Sequence, residues 1–418
     1  MELEPRVEGL LRELAPQTLA ALTRRYGHFD LAEDAVQEAL LAAASAWSAG
    51  GLPENPAGWL RTVATRRLTD LLRSEQARRR REVTETLRAL PLASSSPEVS
   101  RPSGDEDDSL VLLLLCCHPA LTPPAQVALV LRAVGGLTTA EIARALLLPE
   151  ATVTRRITRA KQSVVDAGGR FALPDPAEWT RRLDVVLHVV YLMFTEGHTA
   201  SAGDVLVRGE LCTEAIRLGR LLRRLLPDEP EVAGLLAQML LTDARRAART
   251  GPDNELVPLA EQDRARWDKA AIAEGVTLVT GALSRHRPGP YQLQAAINAV
   301  HAEAATYDDT DWPQILALYG VLDRLSADPV VTLNRAVALA EVEGPRAGLD
   351  LLEQAAADPR LAGHHRVHAV RAHLLQALGR TSEAVEEFRL AARGTLSTPE
   401  RHYLLRRVAL IERGTEIP

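Results

Sequence analysis

Along most of the chain, apolar residues return every third or fourth position. Leu10, Leu11, Leu14, Leu19 and Leu22 do so in the opening segment, Leu31, Ala35, Ala39 and Ala42 in the next, and Leu60, Ala64, Leu68 and Leu71 in the one after. The pattern continues through Val153, Ile157, Ala160 and Val164, then through LDVVLHVVYLMF, LCTEAIRLGRLLRRLL and EVAGLLAQMLLTDARRAA. This is the helical period, with one face packed and the other solvated. An all-α fold is predicted, with Pro16 marking a break or a first helical turn.

Glycine and proline divide these helices. Ser48-Ala-Gly-Gly-Leu-Pro-Glu-Asn-Pro cannot continue a helix, and a new one starts near Ala57. Residues 82–109 are polar, Pro-bearing and acidic, ending in Asp105-Glu106-Asp107-Asp108. They carry too little apolar surface to order themselves and read as a flexible linker. Gly168-Gly169, Pro174 and Pro176 punctuate the chain again. The predicted division is 1–81, the linker 82–109, 110–168, 169–290 and 291–418.

Composition supports helix. Aromatic residues make up only 4% of the 418, so Leu, Ala and Val must supply the buried surface. Three cysteines give no disulfide framework. Cys116-Cys117-His118 lacks a second ligand pair at zinc spacing, so neither metal nor cofactor is expected. The apolar run Leu110 to Cys117 is far shorter than the ~20 residues that span a bilayer, and MELEPRVEGL lacks a signal-peptide pattern. A cytoplasmic location with no membrane partner is expected.

Charge is more informative than composition. The net charge is −6, yet from Arg61 to Arg81 eight arginines face two acids, Asp70 and Glu75. Such a face suits a polyanion. The preceding helix is the reverse, with Asp30, Glu33, Asp34, Gln37 and Glu38 expected opposite its apolar stripe. Further on, LTTAEIARALLLPEATVTRRITRAKQ reads as a helix-turn-helix whose second helix turns Thr152, Arg155, Arg156 and Arg159 outward, as candidates for a major groove.

YGHFDLAEDAVQEAL followed by NPAGWLRTVATRRLTDLLR closely resembles the second conserved domain of sigma-70-type factors of the extracytoplasmic function (ECF) family. CCHPALTPPAQVALVLRAVGGLTTAEIARALLLPEATVTRRITRAKQ resembles that family's fourth domain, although Pro123-Pro124 stands where an acid is more common. The resemblance implies that Asp34, Gln37 and Glu38 dock on core RNA polymerase. It also implies that the loop and basic helix, through Asn55, Trp59, Arg61, Arg66, Arg67 and Arg73, receive the minus-ten promoter element, and that Thr152, Arg155, Arg156 and Arg159 read the minus-thirty-five element. A melted strand needs cations for phosphates and planar side chains for unstacked bases, which these residues offer.

FTEGHTAS, LVRGELCTEAIRL, LLPDEPEVAGLLAQMLL, DARRAAR and DRARWDKAAIAEG resemble the C-terminal extension of one ECF subgroup, which more often has Asn and Tyr where Thr195 and His198 stand. Beyond Tyr291, LNRAVALAEVEGPRAGLDLLEQAAADP and VHAVRAHLLQALGRTSEAVEEFRLAARG align with Gly344 over Gly379, near the ~34-residue period of tetratricopeptide (TPR) repeats. A TPR-like unit that regulates activity or binds a protein or peptide partner is expected. No phosphate loop, nucleophile elbow or facing Glu-x-x-His pairs occur, so no enzyme activity is expected. Glu196, His198, Asp204, Arg208, Glu214, Asp243, Arg245, Arg246, Asp263, Arg264, Trp267 and Asp268 are expected to take part in buried ion pairs joining helices. A helix-turn-helix regulator independent of polymerase, or a helical enzyme in the C-terminal half, is the alternative.

Overall fold

The computed structural model describes residues 5–86, 105–146, 148–167, 176–251, 254–326 and 328–414, which are almost wholly helical. They fall into two compact units, divided after Val189.

In the first unit, α1 (Pro5–Tyr26), α2 (Phe29–Gly50) and α3 (Pro56–Thr86) pack on one another, and α4 (Asp105–Cys116) lies against α1. α5 (Pro123–Ala133), α6 (Thr139–Ala145) and α7 (Glu150–Asp166) form the helix-turn-helix body. Burial follows the expected stripes: Leu60, Ala64 and Leu68 of α3 are fully buried, as are Val153, Ile157, Ala160 and Val164 of α7. Each such leucine contributes about 1.5–3 kcal/mol of transfer free energy.

The structure departs from the expected boundaries in three places. The break at Pro16 does not occur: α1 runs through it, and Leu14, Ala15 and Leu19 around it are buried, so local packing outweighs the missing backbone donor. Asp105 to Asp108, expected in the linker, form the first turn of α4. Residues 82–86, also expected in the linker, are the last residues of α3, and 87–104 lie outside the described residues.

α8 (Pro176–His198) contains the division between the units. The second unit continues through α9 (Gly209–Leu225), α10 (Pro230–Asp243), α11 (Lys269–Leu283), α12 (Pro290–Glu303), α13 (Trp312–Leu325), α14 (Pro329–Glu343), α15 (Pro345–Ala356), α16 (His365–Ala377), α17 (Thr381–Gly394) and α18 (Thr398–Glu412). From α9 onward each helix packs on the next, and α12 also packs on α10. That second contact needs Gly234, because a Cβ there would stand 2.6 Å from the backbone nitrogen of Gln292. The turns α14–α15 and α16–α17 both pass through a left-handed glycine, Gly344 (φ +93°) and Gly379 (φ +73°). These are the two positions that the internal repeat aligns. The short strands Ala202–Gly203 and Leu396–Ser397 pair in parallel and tie the segment before α9 to the start of α18.

Candidate polymerase and nucleic-acid interface

α2 buries Ala32, Ala35, Val36, Ala39, Ala43 and Trp47. Its outward face carries Asp34 and Glu38, both exposed, with Gln37 half-buried. Leu41, 74% exposed, extends the same face, since 34, 37, 38 and 41 are one helical stripe. A leucine this open beside two carboxylates gives the stripe an apolar contact point.

α3 follows the Gly/Pro loop. Asn55 caps it, its Oδ1 accepting from the Gly58 N–H at 2.8 Å. The Asn55 side chain therefore already has one structural role. Trp59 is half-buried and meets Trp47 edge-on, with ring centroids 5.5 Å apart. Arg61, Arg66, Arg67 and Arg73 are all exposed. Arg67 lies 3.5 Å from Glu38 and Arg73 lies 3.5 Å from Asp70, whereas Arg61 and Arg66 make no ion pair among the described residues. The side chains of the Arg78 to Arg81 run fall outside the described residues.

On α7, Arg155 and Arg159 are exposed and Thr152 and Arg156 half-buried, on the side opposite the buried stripe. Replacing Arg155 or Arg159 by Ala is expected to cost about 1–3 kcal/mol of binding where the side chain reads a base edge. Electrophoretic mobility shifts on promoter and scrambled duplexes measure this, because equal losses on both mean phosphate contact.

One member of the acidic helix is not where the sequence suggested. Glu33 is 2% exposed rather than outward. Arg132 Nε of α5 donates to its Oε1 at 2.9 Å, and Lys161 Nζ of α7 donates to its Oε2 at 2.7 Å. Lys161 also donates to Asp34 Oδ1 at 2.8 Å. Burial raises the Glu33 pKa, but Lys161 and Arg132 together more than offset it and hold the carboxyl below its usual range. Burial likewise works against the Lys161 cation, and Glu33 and Asp34 reverse that, raising its pKa. Sequence reasoning missed this triad. The available signal was position: Glu33 sits among Phe29, Ala32 and Val36, inside the apolar stripe.

Several of the polar residues between Glu196 and Asp268 also differ from expectation, although Arg220 of α9 does pair with Glu274 of α11. Asp243 pairs with Arg246 and Glu214 with Arg217, each three residues apart rather than across helices. Asp263 and Asp268 cap helical turns, and Glu196 accepts from the Ser201 N–H. The ion pair is satisfied locally because the partner is already one helical turn away. Arg245 and Arg264 bond no carboxylate among the described residues.

An acidic-faced helix, an arginine-faced helix and a helix-turn-helix thus follow one another in the first unit. Residues 10–78 match the model of sigma-70 region 2, and 112–164 that of sigma-70 region 4. The chain belongs to the sigma-70 family and is an RNA polymerase sigma factor, with core polymerase and promoter DNA as its partners. Residues 182–283 match a family of unknown function, DUF6596. An uncharacterized protein of Rhizobium meliloti (strain 1021) is 42% identical over 391 residues, covering 93% of this chain and 92% of the relative. No solved structure matches the chain. Among the described residues no helix is long and apolar enough to cross a membrane.

Proposed function

We propose that the chain is an ECF-type sigma factor with a fused TPR-like extension that regulates its activity. The observation that carries this is the pairing of two adjacent helices of opposite charge: the Asp34, Gln37, Glu38 and Leu41 stripe on α2, and the exposed arginines of α3. The stripe docks on core polymerase. Asn55, Trp59, Arg61, Arg66, Arg67 and Arg73 hold the opened minus-ten strand, while Thr152, Arg155, Arg156 and Arg159 meet the minus-thirty-five duplex. The repeated helix pairs of α14 to α17 support the TPR-like reading, because their turns share a left-handed glycine.

The α2–α7 contact bears on docking. Asp34 is bonded to Lys161, so polymerase must compete for that carboxylate or approach it from its open side. Reversing Asp34 and Glu38 together to Lys is expected to weaken binding to core polymerase by about tenfold to a hundredfold, since like charges across an interface cost several kcal/mol. Fluorescence anisotropy with labelled full-length chain measures this, and promoter-specific initiation should fall in step. Unchanged affinity in a variant of native helicity would reject the docking face.

A further inference from the structure

Within the second unit, α8, α10, α12, α13 and α14 surround a cavity of about 410 Å³. That is the size range of small-molecule sites. We propose that it binds a small hydroxylated oxyanion, a carboxylate or phosphate of sugar or hydroxy-acid type, with its charged end held by Arg245. The proposal stands on this unit alone and holds whether or not the extension regulates transcription.

The first reason is unbalanced charge. Arg245 lines the cavity, half-buried, and makes no hydrogen bond or ion pair among the described residues; its guanidinium lies 6.0 Å from the centre of the Trp267 ring. The adjacent guanidiniums do not offer it relief. Arg249 donates to the His198 carbonyl and to Thr199 Oγ1, and Arg264 donates to the carbonyls of His301 and Ala304 while lying over Trp267. Asp243 and Glu400 act on Arg249 and Asp309 on Arg264, so the guanidinium left without a nearby carboxylate is Arg245. Burial and the neighbouring Arg264 pull the Arg245 pKa down to about 10, and burial with Arg245 and Arg264 pulls His301 down to about 4. The carboxylate on the wall, Asp328, is exposed and accepts from the Val330 N–H at the start of α14. A cation desolvated without a counter-ion, as Arg245 is, is costly, and an anion entering the cavity removes that cost.

The second reason is the lining. His198 Nδ1 is buried against the cavity with no partner, and the ring is kept neutral by burial and by Arg249 and Arg245. Gln238 donates to Gln294 Oε1 at 2.5 Å, and Asn298 to Thr242 Oγ1 at 2.9 Å, which fixes the carboxamides in place. Burial and Tyr191 raise the Tyr319 hydroxyl to about 12, so it stays a neutral donor. Phe194 stacks on His198 at 5.7 Å and supplies an apolar wall. Fixed amides, a neutral imidazole and a phenol suit the hydroxyls of a polar ligand, beside the half-buried Arg245 for its anionic end, with a second arginine, the exposed Arg366, also on the wall.

Thermal melts of the full chain test this with glucose 6-phosphate, citrate and uncharged glucose, each against chloride of equal ionic strength. Glucose 6-phosphate or citrate should raise Tm by about 5–10 °C at a hundredfold excess over Kd, and glucose should not. A response to one anion identifies phosphate or carboxylate as the source. In Arg245→Met the shift should vanish, while the unliganded variant melts at or above the wild-type temperature because an uncompensated charge has been removed. Three results would overturn the proposal: no shift with either anion, an equal shift with glucose, or an unliganded Arg245→Met that melts more than about 5 °C lower.

Discussion

Replacing Glu33 by Ala is expected to destabilise the first unit by about 3–5 kcal/mol, because it strands two cations that the fold has taken from water. Arg132 keeps the Leu137 carbonyl and Lys161 keeps Asp34, so neither is wholly abandoned, and the effect belongs at the lower end of that range. Urea denaturation followed by circular dichroism measures it. The pH dependence has a definite sign. The folded carboxyl lies below its ordinary value of 4.5, so its contribution is fully present above 4.5 and is lost as the pH falls through the folded value. Lys161 is raised above 10.5, so its contribution is present below 10.5 and is lost at still higher pH. Between those limits the wild type should hold constant stability from this source, and the difference from Glu33→Ala should shrink in acid. A difference that ignores acid would mean the triad is not the cause.

Removing together the four arginines of α3 that are exposed among the described residues, as Arg61→Ala, Arg66→Ala, Arg67→Ala and Arg73→Ala, should produce the largest loss in DNA binding. Each phosphate neutralised on a single strand adds about 0.7 to the salt slope, so four contacts account for a slope of about 3. Between 50 and 200 mM salt, on the order of the range where such binding is measured, the wild type should then lose about fiftyfold more affinity than the variant. Anisotropy titrations on a labelled single strand read this directly. Folding should be little affected, because the buried side of α3 is Leu60, Ala64 and Leu68 and the arginines stand away from it. An unchanged salt slope would show that the α3 face does not touch phosphate.

Helix positions, the charge contrast between α2 and α3, and the inward stripe of α7 were legible in the chain, because each follows from the 3.6-residue period of one segment. Boundaries set by packing were less so. Pro16 reads as a break in isolation, and only the burial of Leu14 and Leu19 on either side shows why α1 continues.

By itself, then, the amino-acid order determined that the protein is helical, which faces are acidic, basic or apolar, and that its regions resemble those of sigma-70 factors. The tertiary structure decided the rest: that Glu33 turns inward to Arg132 and Lys161, 99 and 128 residues away, and that Arg245 borders a cavity with no carboxylate bonded to it. A helical period says which way a side chain points from its own axis. Whether a charge at that point meets water, a partner or a void depends on helices distant in the chain, and no single segment encodes it.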